Sequence, residues 1–297
     1  MHIPVLLNEA LEGLVISEGK FIIDGTVDGG GHGLEIARRI GKKGIFLGVD
    51  RDEELLAKLK EKVAHEFKKN SDAKIVLAHG SYAELPEILQ DKKLKKADGL
   101  LLDLGFSSEQ LDAKRGFSFQ NDEPLDMRYD TSKGQTAAEV VNCFPEKELA
   151  DIFYLYGEER FSRRIAKAIV GKRKRSRILT TFDLVEAVKE SMPFKYDNGR
   201  INPATRVFQA LRIYVNGEFV ELEKVLSELK EIVAPGGRVA IISFHSLEDR
   251  IVKNGFKKAA LEGILKIITK KPIAPSYEEI SRNPRSRSAK IRVAEII

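Results

Sequence analysis

With 297 residues, 42% hydrophobic and 32% charged, the chain has material for one large domain or two smaller ones, with an ample core and a soluble surface. No stretch approaches the roughly 20 apolar residues of a membrane helix, and MHIPVLLNEA lacks the basic start and long apolar core of a secretory signal. A single cysteine, Cys143, excludes internal disulfides and a thiolate metal cluster, so a cytoplasmic, metal-free protein is expected. Net charge is +5, and it is unevenly spread: residues 160–177, RFSRRIAKAIVGKRKRSR, hold nine Lys or Arg and no acid, and residues 282–292, RNPRSRSAKIR, hold five more. Such segments attract phosphate backbones, although a solvated helix face followed by a basic loop gives the same pattern.

In chain order, FIID (21–24), GIFLGVD (44–50), KIVLAHG (74–80) and DGLLLDLG (98–105) read as strands buried on both faces. Between them GLEIARRIG (33–41), DEELLAKLKEKVAHEFKKN (52–70) and YAELPEILQ (82–90) read as helices. The second is the clearest, with Leu55, Leu59, Val63 and Phe67 on one stripe and Asp52 as its cap. After Gly105 the alternation stops. EKELADIFYLYG, ERFSRRIAKAIVG, TTFDLVEAVKESM and PATRVFQALRIYVN are helical patterns with no clear strand among them. GEFVELEKVLSELKEIV then reads as a helix, APGG as a turn, RVAIISF as a buried strand, HSLEDRIVKNGFKKAAL as a helix, and ILKIIT and AKIRVAEII as two last strands. This order predicts an α/β domain, 1–110 with 211–297, interrupted by a helical insertion over 111–210.

The first strand ends in Asp24, and five glycines fall in the next nine residues. This loop fails the dinucleotide fingerprint, because Leu34 and Ile36 stand where its last glycine belongs, and no Lys-Ser/Thr pair makes it a triphosphate loop. Its glycines still allow a ligand close to a helix N-terminus. Asp50 ends the second strand about 20 residues on, where a carboxylate can accept ribose hydroxyls or cap the next helix. Tyr82, after the third strand, could flank an adenine or simply pack. Asp103 closes an otherwise apolar strand and points toward the cleft expected at the strand ends. A helix, APGGRVAIISF, another helix and two terminal strands resemble the seven-stranded methyltransferase sheet, whose last strand is antiparallel.

HIPVLLNEAL, DGTVDGGGHG, LLDLGFSSEQLD, RGFSF, PLDMR, YGEERFSRRIAKAI, INPATRVFQALRIYVN, APGGRVAIISFHSLEDRIVK and NPRSRSAKIRVAE all resemble the RsmH/MraW family, in order from residue 2 to 295. The resemblance implies a Rossmann-like class I methyltransferase with a helical insertion. The expected reaction moves a methyl group from S-adenosylmethionine to N4 of a cytidine in 16S (small-subunit) ribosomal RNA at the decoding centre. The expected partner is that RNA or the assembled small ribosomal subunit, with no membrane involved; oligomeric state stays open. Gly30, Gly31 and His32 match the loop along the methionine moiety, Asp50 the ribose acid, Tyr82 an aromatic that is often Phe, Asp103 the DLG acid and Gln110 the SSxQLD glutamine. Asp28 departs from the family, which often has glycine there.

For the amine chemistry, Asp103-Leu104-Gly105-Phe106-Ser107-Ser108 occupies the place of the proline-containing loop of DNA amino-methyltransferases but holds no proline. Asp103 and the backbone after it are expected to accept from N4, with Phe106 supporting the base. Asp126, Arg128 and His245 are alternative polar contributors; His245 reads equally as a general base or a loop-fixing histidine. Arg160, Arg163, Arg164 and Lys167 fall at helical spacing, Arg173, Lys174 and Arg175 in a following loop, and Arg285 and Arg287 in the tail; all nine are expected to meet RNA phosphates.

Overall fold

The computed structural model describes residues 4–70, 73–192 and 202–297, so the family strings beginning at His2 and Ile201 start outside the described residues. The chain divides into two compact units, Met1–Ser107 with Phe219–Ile297, and Ser108–Glu218. The expected boundary at 210 would have cut helix Ala204–Asn216, whose run of buried Val207, Phe208, Leu211 and Ile213 keeps it in the second unit to its end.

The first unit is a seven-stranded sheet: β1 (Phe21–Asp24), β2 (Ile45–Asp50), β3 (Lys74–His79), β4 (Ala97–Asp103), β5 (Val233–Ser243), β6 (Leu265–Ile267) and β7 (Lys290–Ile296). Their spatial order is β3-β2-β1-β4-β5-β7-β6. β1 to β5 pair in parallel, and β7 runs antiparallel to both β5 and β6. This is the class I, Rossmann-like methyltransferase sheet, with a helical insertion between β4 and β5. The apolar runs alternate sides as a pleated strand requires. Phe21, Ile23, Leu100, Leu102, Val239 and Ile241 enter one core with helices Glu218–Ser227 and Ser246–Leu261. Ile22, Leu101, Ala240 and Ile242 enter the other, with helices Leu7–Gly13, Gly31–Ile40 and Glu53–Asn70.

APGG is not a turn ahead of the strand. Val233 already pairs with Ala97, and Arg238 with Gly99, so Ala234–Gly237 bulge out of a strand that then resumes. The second unit is built from helices around its own core, including Ala137–Cys143, Glu146–Gly157, Ser162–Arg173, Thr181–Ser191 and Ala204–Asn216. No helix among the described residues is long and apolar enough to cross a membrane.

Helix Gly31–Ile40 lies against β2 through Gly33, where an added Cβ would fall 2.5 Å from Cζ of buried Phe46 and 3.1 Å from Cγ2 of Val27. Gly33→Ala is therefore expected to destabilise the protein by about 1–3 kcal/mol despite its better helix propensity. A denaturant midpoint at or above that of the unaltered protein would contradict this packing.

Candidate functional site

Because β1, β2 and β4 are parallel neighbours, their last residues, Asp24, Asp50 and Asp103, emerge on one edge of the sheet. The strand order reverses between β1 and β4, the position at which open α/β sheets bind ligands. The glycine loop runs from Gly25 into helix Gly31–Ile40, with Gly30 as its left-handed cap (φ 83°) and no acidic residue in the first turn. The backbone at Gly31 and His32 thus forms a helix N-terminus suited to an anionic group. Tyr82 is buried beside the loop: a Cβ on Gly25 would fall 2.9 Å from its Cβ and 2.6 Å from Leu102 Cδ2, so only glycine fits.

Asp50 fixes this region. Its Oδ2 accepts from Asp28 N at 2.8 Å and its Oδ1 from Asp52 N at 2.8 Å, while Asp52 Oδ1 caps the next helix through Leu55 N at 3.2 Å. Asp28 has φ 44°, in the left-handed region where glycine is favoured and aspartate tolerated. Its departure from the family's usual glycine is thereby accounted for by its backbone, whose amide is the group that meets Asp50.

The acids are short of positive charge. Asp24, Asp50 and Asp103 form no ion pair with Lys or Arg among the described residues. Burial, with the charge of Asp50 adding to it, pushes the Asp24 carboxyl up to about 7. Burial pushes Asp50 up to about 6 against the opposing pull of its backbone amides. Asp103 is held well above the usual carboxylate range by burial, then by Asp24 and Glu248. Thr26 links two of them, its Oγ1 accepting from Asp103 N at 2.7 Å and donating to Asp24 Oδ1 at 3.4 Å.

Asp103 Oδ1 is shielded from water and meets no donor among the described residues, and Oδ2 lies 3.6 Å from His32 Nδ1. His32 Nε2 contacts the carbonyl of Val5 at 2.9 Å. A carbonyl only accepts, so Nε2 carries a proton and Nδ1 faces the carboxyl. An imidazole lone pair and an ionised carboxylate would repel, in keeping with the raised pKa of the Asp103 carboxyl. His245 is occupied otherwise. Its Nδ1 accepts from Glu248 N at 3.3 Å as the cap of helix Ser246–Leu261, and Nε2 is 3.1 Å from Glu248 Oε1 without an aligned hydrogen bond. With one ring nitrogen capping a helix and the other protonated, the geometry favours the loop-fixing role over the general base. Phe106, just beyond β4, is 38% exposed.

In the second unit, Gln110 is buried on the short helix Ser108–Asp112. Asp126 and Arg128 hold each other in a double contact at 2.7 and 2.8 Å, which fixes their loop. The basic segment is less uniform than its sequence. The helix starts at Ser162, so Arg160 precedes it and lies over the Phe161 ring at 4.9 Å, while Arg163, Arg164 and Lys167 are exposed. It also continues through Arg173 rather than ending in a loop at 172. Arg173 is half-buried and donates to Val141 O at 2.8 Å, whereas Lys174 and Arg175 are exposed. Of the tail, back in the first unit, Arg285 and Arg287 are exposed, but Arg292 and Lys290 are both drawn to Asp249.

Thr26 and Glu248 are site residues that the sequence reading missed. Glu248 had a signal: it stands three residues after the cap His245, as in a capping box. Thr26 had none, since a hydroxyl in a turn carries no distinguishing pattern.

The profile of the MraW methylase family matches residues 1–297. The protein called "Ribosomal RNA small subunit methyltransferase H" in Sulfurihydrogenibium sp. (strain YO3AOP1) is 45% identical over 297 residues, spanning 100% of this chain and 99% of its own length. Its namesakes in Syntrophobacter fumaroxidans (strain DSM 10017 / MPOB) and Clostridioides difficile (strain 630) are each 43% identical, covering 99% and 100% of this chain and 96% and 99% of their own.

The buried acids make stability depend on pH. An unfolded aspartate loses its proton near 3.8 and folded Asp24 only near 7, so between these values the folded chain binds more protons. Stability without ligand should then fall as pH rises from about 4 to about 7, and Asp24→Asn should flatten part of that slope. Urea midpoints across this range measure it; parallel slopes for both proteins would contradict the protonation of Asp24.

Proposed function

The chain belongs to the MraW methylase family, and from that premise we propose that it transfers a methyl group from S-adenosylmethionine to the N4 exocyclic amine of a cytidine in small-subunit ribosomal RNA near the decoding centre. The observation that carries the reading is the set of three largely buried carboxyls at adjacent strand ends with no Lys or Arg partner among the described residues. The cofactor brings a sulfonium and an ammonium, the positive charge this edge lacks, together with a ribose diol that needs acceptors.

Gly30, Gly31 and His32 would lie along the methionine end, Asp50 would accept from the ribose, and Tyr82 would border the adenine. Asp50 suits its part because backbone amides fix both its oxygens while leaving each a further lone pair. Gln110 keeps its cofactor role from its place in the SSxQLD motif. Bound there, S-adenosylmethionine supplies a methyl group already made electrophilic by its positive sulfur.

What the residues must add is alignment and a destination for a proton. The lone pair of a cytosine amine is conjugated with the ring, so an acceptor near N4–H helps localise it. Asp103 Oδ1 is such an acceptor, buried and without a donor of its own. His32, its ring oriented by the Val5 carbonyl with Nδ1 3.6 Å from Oδ2, would be the group to which the amine proton moves on. The target base must leave its stack to reach this edge, and the exposed ring of Phe106 offers it a face. Arg175, Lys174, Arg285 and Arg287 are exposed cations for the RNA backbone.

Labelled S-adenosylmethionine offered with small subunits and with free RNA, followed by mapping of the modified nucleoside, tests the reaction. N4-methylcytidine is expected; methylation at carbon 5, or of no RNA at all, would overturn it. Asp103→Asn should lower turnover at saturating cofactor by about 10²–10⁴-fold, as expected for losing a positioned proton acceptor. Full turnover under those conditions would confine Asp103 to cofactor binding.

A further inference from the structure

Within the second unit, the end of helix Glu146–Gly157 and the start of helix Ser162–Arg173 border a cavity of about 580 Å³, lined by Asp151, Tyr154, Arg160, Phe161, Arg163 and Arg164 among others. Its size is within the range of small-molecule sites, about 300–1,000 Å³. Asp151 is the carboxylate among these lining residues, and it is already held: its Oδ2 accepts from Lys147 Nζ at 2.7 Å. Arg163 and Arg164 form no ion pair among the described residues, and both are exposed because Ser162, Ile165, Ala166 and Ile169 take the buried face of their helix.

Their position opposes the helix's own electrostatics. A helix N-terminus carries partial positive charge and favours acids, yet this first turn holds two arginines, no acid, and a cap residue, Phe161, that makes no side-chain cap hydrogen bond. The helix end itself is already met by buried Glu159, whose Oε1 accepts from Phe161 N at 2.8 Å; an outside anion would gain from the exposed Arg163 and Arg164. The rest of the lining is flat and aromatic. Arg160 is stacked on Phe161, and Tyr154 is 62% exposed, the kind of surface on which an unpaired base stacks.

We infer that this cavity is a subsite for an unpaired nucleotide of single-stranded RNA, with backbone phosphate on Arg163 and Arg164 and a base against Tyr154 and Arg160. The inference rests on the RNA-methylating reading and deepens it: the insertion holds a looped-out or single-stranded part of the substrate by shape and stacking rather than gripping a duplex by charge alone. A duplex has its bases stacked on each other and offers none to Tyr154.

The full-length protein is compared with the R163A/R164A double variant and with Tyr154→Ala, using labelled single-stranded RNA, duplex RNA and poly-glutamate as probes. The double variant should reduce the salt dependence of single-strand binding by about 1.4 in slope, the equivalent of two phosphate contacts. Tyr154→Ala should weaken single-strand binding by at least about fivefold and leave duplex binding alone. Calorimetry should give all three proteins the same affinity for S-adenosylmethionine, which shows that each is folded. Unchanged salt slope in the double variant, or equal loss of both RNAs with Tyr154→Ala, overturns the subsite. Poly-glutamate displacing RNA from the unaltered protein but not binding the double variant overturns it in favour of an acidic protein partner. Failure of the broader reading looks different: the single strand would still bind through these residues, but no RNA would be methylated.

Discussion

The hydrogen bonds from Asp28 N and Asp52 N to the two oxygens of Asp50 hold the site in register. They tie the glycine loop after β1 to the start of the helix after β2, so two crossovers that are distant in sequence share one carboxylate. Asp28 donates from a left-handed conformation, and Asp52 also caps its own helix. Removing the Asp50 carboxylate would therefore disturb the loop's shape as well as a ligand contact, and the two effects cannot be separated by that substitution.

Around this tie the chain has collected acids in a place where burial opposes their ionisation. Such an arrangement is unfavourable for the isolated fold, and none of Asp24, Asp50 and Asp103 is offset by a lysine or arginine. Stability spent in this way is found where a cationic ligand repays it on binding. Thr26 moderates the cost without removing it, bridging Asp103's amide and Asp24's carboxyl.

The sheet could be read from sequence because β1, β2, β4 and β5 are buried on both faces and so appear as continuous apolar runs ending in a polar residue. Asp24, Asp50 and Asp103 were visible for the same reason, as acids at the ends of such runs. Short helices such as Leu7–Gly13 and Ser108–Asp112 escaped because seven or five residues carry too few periods to register. Ala137–Cys143 could have been found, since Thr136 and Glu139 form a capping box. The basic run at 160–177 misled in part: composition counts charges, but Arg173 had a carbonyl to satisfy and Arg160 a ring to cover. His245 stayed open in the sequence, because a side chain able to act as a base also makes an adequate helix cap, and only the fold shows it capping.

The order of the chain has a consequence for how it is made. β4 pairs with β5, yet residues 108–218 lie between their halves of the first unit. On the ribosome, β1 to β4 emerge with Leu100, Leu101 and Leu102 on an unpaired sheet edge, and they wait there until the whole insertion has been synthesised. The insertion carries its own core, so it can collapse first and shorten the span that the two strands must close. Early release of the chain, or slow folding of the insertion, prolongs the exposure of that edge. The inserted segment thereby sets, during synthesis, how long the half-built sheet is open to aggregation.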